Sequence, residues 1–194
     1  MSANGKEIER AWILNPKKFS RNRAKWRYLD FEASIEHRIG YVVSNDDGEL
    51  RVVEKDGMPK PDYFITVKSA GNAERNEFER LMPGWVFDVL WPQTEGKRVY
   101  KRRFYIASGI FDEHDDLIKD VMLELDEYTD EDGFNPWLYR LECEFDSVEE
   151  ASQFKLGIPF EDCAFEVTND KRFKNRNIAL HGLPEGWRDL FYEK

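Results

Sequence analysis

Leu141-Glu142-Cys143-Glu144-Phe145 alternates apolar and acidic side chains with a period of two. In a strand, residues two apart share a face, so both carboxylates fall on one side and Leu141, Cys143 and Phe145 on the other. The same sorting applies along the chain. Glu7 and Glu9 share a face, as do Arg75, Glu77 and Glu79, then Lys101 and Arg103, then Glu124 and Asp126; Arg51 and Lys68 add one cation each. The opposite parity carries Ile8, Val52, Val67, Phe78, Phe104 and Leu125.

An ordinary antiparallel sheet accounts for any one of these strands, with apolar residues in a core and charges in water. It accounts badly for charged faces of both signs recurring on seven strands. A closed barrel with the charged parity inward, and apolar faces packed against outer helices, collects them onto one hydrated wall. Eight windows alternate in this way: Glu7 to Leu14, Ile39 to Val43, Glu49 to Lys55, Tyr63 to Lys68, Arg75 to Leu81, Arg98 to Ile106, Ile118 to Tyr128 and Leu138 to Phe145. Asn45-Asp46-Asp47-Gly48 reads as a hairpin turn between two of them. Helices are expected at Trp85 to Trp91, at Ser147 to Phe154 behind a Ser-x-x-Glu capping box, at Lys171 to Leu180 and at Pro184 to Tyr192. Residues 15 to 35 show no clean periodicity. The class is therefore α+β, an eight-stranded antiparallel β-barrel with flanking helices.

At 194 residues, with no repeat and no low-complexity linker, the chain reads as a single domain over 1–194, ending in a helical extension at about 184–194. With 39 acidic against 29 basic residues, a net charge of −10, a broad nucleic-acid footprint is a poor fit, and any grip on anions must come from clustered cations. No apolar run approaches a membrane span or leader, so a cytoplasmic protein without a membrane partner is expected. Cys143 and Cys163 lack zinc spacing and read as buried thiols; His37, His114 and His181 are too scattered to form a ligand set. The acidic run Glu113 to Asp116 lacks the spaced ligands and glycine of a calcium loop.

A wall of both signs suits a polyphosphate with a metal: carboxylates coordinate Mg²⁺ or Mn²⁺, while Arg and Lys neutralise phosphate oxygens. Carboxylates without an ion would repel the anion, and an ion without cations would leave much of the triphosphate charge uncompensated.

The ordered fragments resemble the CYTH, or triphosphate tunnel metalloenzyme, superfamily, and in particular its small bacterial-type members. Glu7-Ile8-Glu9-Arg10 is similar to the opening Glu-x-Glu-x-Lys strand. The series continues with Glu49-Leu50-Arg51, then Tyr63 to Lys68 and Arg75 to Glu79. Leu90-Trp91-Pro92-Gln93-Thr94-Glu95-Gly96-Lys97-Arg98-Val99, followed by Lys101 and Arg103, is the most specific fragment. Leu123 to Asp126 and Leu141 to Phe145 match the acidic strands, and Glu166 to Asn175 matches a closing segment that plugs the tunnel. By this resemblance Glu7, Glu9, Glu142 and Glu144 are metal ligands, with Asp126 an additional candidate. Arg51, Lys68, Arg75, Lys101 and Arg103 contact phosphate, with Arg172 an additional candidate, and Glu7, Glu9, Lys68 and Arg103 form the expected catalytic set.

Two positions depart from the family pattern. Ala11 stands where the opening motif has Lys, and Val53 stands where the third strand has its second Arg. The expected activity is metal-dependent hydrolysis of a small inorganic or organic triphosphate. A class IV-type adenylyl cyclase and a non-catalytic nucleotide- or polyphosphate-binding protein remain open, the latter because of those two losses. The expected partners are a small-molecule triphosphate or nucleotide and a second copy of the chain in a homodimer.

Overall fold

The computed structural model describes residues 8–21, 31–56, 59–69, 76–111, 114, 117–133, 137–157 and 160–191. Glu7 and Arg75, assigned above as metal ligand and phosphate contact, lie outside the described residues, as does most of the acidic run 113–116.

Nine antiparallel strands form one sheet: β1 (Ile8–Leu14), β2 (Phe31–Asn45), β3 (Gly48–Lys55), β4 (Asp62–Ser69), β5 (Glu77–Leu81), β6 (Arg98–Phe111), β7 (Leu117–Thr129), β8 (Leu138–Phe145) and β9 (Ala164–Glu166). Their order is β5-β4-β3-β2-β6-β7-β8-β1-β9. All eight expected windows contain strand. The sheet differs from the expectation in having the short β9, paired to β1, and in a β2 that starts at Phe31, eight residues before Ile39. A register shift between Tyr41 and Val43 bends β2 near the Asn45 hairpin. There Asn45 Oδ1 accepts the N–H groups of Asp47 and Gly48, at 3.0 and 3.1 Å.

Two apolar clusters lie on opposite faces of the sheet. The outer one collects Trp12 and Leu14 from β1, Ile106 from β6, Leu123 and Leu125 from β7, and Leu141, Cys143 and Phe145 from β8. It is covered by α1 (Pro16–Arg21) through Phe19, by α3 (Val148–Gln153) through Ala151, and by Phe154, Phe160 and Cys163. Each large side chain buried there contributes roughly 1.5–3 kcal/mol of transfer free energy. Ser147 caps α3, its side chain accepting Glu150 N–H at 3.1 Å, while the Glu150 carboxylate takes Asp146 N–H at 3.1 Å.

The inner cluster fills one end of the concave face. Ala11, Ile13, Ile39, Val53, Val99, Tyr128 and Leu138 meet Val167, Phe173, Ile178 and Trp187 of the C-terminal segment. That segment was expected to form continuous helix from Lys171. Instead a 3-10 turn at Lys171–Phe173 is separated from α4 (Asn175–His181) by Lys174, whose ψ of 142° is extended. A further 3-10 turn at Trp187–Phe191 stands where Pro184 to Tyr192 was expected to be helical.

On the other flank, α2 (Gly84–Leu90) and the 3-10 turn Trp91–Thr94 pack outside β2, β3 and β4. The approach is close because Gly40 has no side chain: a Cβ there would lie 2.4 Å from Thr94 Oγ1. Thr94 is fully buried, donates to Trp91 O at 2.7 Å and accepts from Arg98 Nε at 3.0 Å. This lock is the structural content of the Trp91-to-Arg98 motif. Among the described residues no helix is long and apolar enough to cross a membrane.

Candidate active site

Strands β1 and β3 to β8 send charged side chains to the concave face, and β2 adds His37, Ile39 and Tyr41; together they line a cavity of about 450 Å³. Glu77, Lys101 and Glu142, from three separated strands, all face it. The arrangement is therefore the inverted one expected from the parity argument, with apolar side chains outside and charges within. Among the described residues nine basic and eight acidic side chains line the cavity, so cations and carboxylates are closely matched on its wall.

One ionic network centres on Asp126. Lys101 Nζ donates to Asp126 Oδ2 at 2.5 Å, and Arg103 donates to both Asp126 oxygens at 2.7 Å. Arg103 Nη2 also reaches Glu142 Oε2 at 2.8 Å, and its Nη1 meets Glu124. Lys101, Asp126 and Glu142 are all buried. Burial alone would raise the Asp126 carboxyl, but Arg103 and Lys101 hold it well below the ordinary carboxylate range. Burial, then the charge of Arg103, lowers the Lys101 ammonium to about 8 against the pull of Asp126 and Glu142. Burial also pushes the Glu124 carboxyl up, with Arg103 opposing and Glu142 reinforcing.

A second network spans β3, β4 and β5. Lys68 Nζ lies 2.6 Å from Glu77 Oε2, and Arg51 Nη2 lies 3.8 Å from Glu77 Oε1. Lys55 Nζ reaches Glu79 Oε1 at 3.2 Å, and Thr66 donates to Glu79 at 3.0 Å. His37 sits between the networks, opposite Lys55 on one side and Lys101 on the other. It is only 6% exposed and its Nε2 has no hydrogen-bond partner among the described residues. Burial, then the charges of Lys101, Arg103, Lys55 and Arg51, keep its imidazole neutral far below the usual histidine range.

The structure brings Glu9, Arg51, Lys68, Lys101, Arg103, Glu142 and Glu144 to the cavity wall. Asp126 lies behind that wall, with both oxygens engaged by cations. Arg172 is not brought in: its side chain is 63% exposed and closes on Asp170 at 2.6 Å. Its neighbours Lys171 and Lys174 line the cavity instead, and Lys174 Nζ lies 3.7 Å from Glu9 Oε1. Lys171 heads the 3-10 turn and Lys174 is the extended residue that follows it, whereas Arg172 between them is held by Asp170. The sequence reading also passed over Lys55, Arg140, Arg176 and His37, all of which line the cavity. Strand parity would have found Lys55 from Arg51 and Arg140 from Glu142.

The donor set fits a hard divalent cation. Glu9 stands directly opposite Glu144 across β1 and β8, and Glu124 opposite Glu142 across β7 and β8. Facing carboxylates repel unless a cation sits between them; Arg103 already stands between Glu124 and Glu142, and the all-oxygen donors of Glu9 and Glu144 suit a hard cation. Among the described residues no three such donors converge as a preformed cage.

A curled antiparallel sheet enclosing cations and carboxylates on its concave face defines a triphosphate-tunnel fold. No family model matches the chain. The inorganic triphosphatase of Nitrosomonas europaea is 37% identical over 144 residues, covering 74% of this chain and 83% of that protein. The crystal structure of the inorganic triphosphatase NE1496 is 30% identical, covers 92% of this chain and 97% of its own, and aligns with a TM-score of 0.57. The chain belongs to the CYTH superfamily of triphosphate tunnel proteins.

Proposed function

We propose that the chain, acting as one domain over 1–194, hydrolyses a small inorganic or organic triphosphate held in the charged cavity with Mg²⁺ or Mn²⁺. The observation that carries this reading is a cavity wall on which cations and carboxylates from separate strands converge. Lys55, Lys68, Lys101 and Arg103 stand on β3, β4 and β6, while Glu9, Glu124, Glu142 and Glu144 stand on β1, β7 and β8.

In this reading Lys101 and Arg103 are held rigid by Asp126 and need no reorganisation to neutralise phosphate oxygens, which is where electrostatic catalysis gains most. Lys68 and Arg51 fix a neighbouring phosphoryl group, with Lys171 and Lys174 at the closing segment. Attack on the terminal phosphorus breaks the phosphoanhydride bond, and the proton of the attacking water passes to a carboxylate of the acidic wall. A divalent ion held by Glu9, Glu142 and Glu144 would, when bound, withdraw charge from the phosphate oxygens and lower the pKa of a water.

Purified protein incubated with tripolyphosphate, ATP or thiamine triphosphate plus Mg²⁺ or Mn²⁺ tests the reading. Orthophosphate release from a triphosphate is the expected result. Cyclic AMP with pyrophosphate would make the chain a cyclase, and binding without turnover would make it the non-catalytic binder that Ala11 and Val53 suggest.

A further inference from the structure

Arg140 is a cavity cation at a place where the opening strand has lost one. On the inner face of β8 it lies directly opposite Ile13, and Ala11 pairs with Glu142. Ala11 and Arg140 are therefore diagonal neighbours on one surface, a separation that a long side chain spans. The Arg140 side chain is 4% exposed and lines the cavity. Its Nη1 sits against Glu142 as an ion pair, while Nε, itself buried, has no acceptor among the described residues. A buried guanidinium with an unused N–H in a cavity lacks the partner that would offset its desolvation. Burial would lower its pKa, but Glu142, then Tyr128 and Glu9, keep it fully charged.

We propose that Arg140 is a substrate-binding residue that supplies, from β8, the phosphate contact missing at Ala11. Ala11 is itself buried in the apolar cluster at the end of the cavity, so on this stretch of the wall the charge comes from β8. Glu142 orients the Arg140 guanidinium and leaves Nε for a phosphate oxygen. The charge has moved from β1 to β8 without leaving the site. This assignment rests on the triphosphate reading above.

Calorimetric titration of tripolyphosphate in the presence of Mg²⁺ tests it, with Mg²⁺ affinity and thermal unfolding measured alongside. Arg140→Gln should weaken tripolyphosphate binding about ten- to a hundredfold, the range for losing one charge-assisted contact, while Mg²⁺ affinity, no longer opposed by the Arg140 charge on Glu142, does not fall. Arg140→Lys should fall between that variant and the wild type, and it provides the same reading if Arg140→Gln does not fold. Ala11→Lys should restore affinity in the Arg140→Gln background. Wild-type affinity in Arg140→Gln, or a loss that Ala11→Lys leaves unrepaired, overturns the assignment alone. A wild type that binds no polyphosphate removes the triphosphate reading as well.

Discussion

Lys101 Nζ lies 2.5 Å from Asp126 Oδ2, and neither side chain is more than 2% exposed. Asp126 also carries Arg103, so a single carboxylate holds two buried cations in place. Its role is to brace the basic wall.

Asp126→Asn should therefore cost stability, on the order of 3–5 kcal/mol, because two buried cations lose their shared counter-charge. Urea denaturation provides the measurement. A variant with wild-type stability but weakened Mg²⁺ affinity would make Asp126 a metal ligand instead.

The lowered Lys101 ammonium, at about 8, has opposite consequences for binding and folding. Below pH 8 the protonated amine faces the anion, so tripolyphosphate affinity should decline as pH rises through that value. The unfolded chain keeps its proton to the ordinary lysine value, so Lys101's own contribution to stability should grow between pH 8 and about 10.4. Calorimetry and unfolding of wild type and Lys101→Met over this range separate the two. A binding profile that Lys101→Met does not flatten would clear Lys101 of the effect.

His37 should make the protein acid-sensitive. Its folded pKa is depressed, so the stability it contributes is present above about pH 6.5 and is lost as pH falls and the unfolded state takes up the proton. The slope should approach about 1.4 kcal/mol per pH unit below that point. Guanidine unfolding of His37→Phe between pH 4 and 7 should lack this component; an identical slope in both proteins would refute it.

Glu9 and Glu144 face one another across β1 and β8, whereas Glu142 is tied to Arg103 and Arg140. Glu9→Gln and Glu144→Gln should weaken Mg²⁺ or Mn²⁺ dependence with little change in melting temperature. Glu142→Gln should lower both, since it also strips a counter-charge from buried guanidinium groups. Equal melting temperatures for all three would show that Glu142 is not part of the brace.

Gly40→Ala should lower stability by about 1–3 kcal/mol, the usual range for overpacking, because the new methyl would strike the buried Thr94. Thermal melts would show it, and pairing the change with Thr94→Ala should recover part of the loss.

The strands were legible because a period of two survives any closure of the sheet; the inward face was argued from charges of both signs recurring on several strands, and Glu9, Arg51, Lys101 and Glu142 line the cavity as that argument expects. Arg140 was equally legible by parity but was hidden by its position just ahead of the acidic pair. Lys174 and Arg172 were not separable, since the backbone passes from 3-10 turn to extended residue to α-helix within a few positions and no single period spans them. His37 looked isolated because what makes it unusual, two cations on adjacent strands, is set by register. The local start of β2 at Phe31 gave no alternating signal.

The apolar cluster that packs the C-terminal segment against Ile13, Ile39, Val53 and Leu138 also governs traffic. With that end of the concave face filled by buried side chains among the described residues, we expect substrate and product to use the same open end of the cavity. A cleaved phosphate must leave past the position where the next substrate arrives. Product should therefore compete with substrate, and turnover at high phosphate should slow in proportion to occupancy of that open end, whatever the speed of bond cleavage.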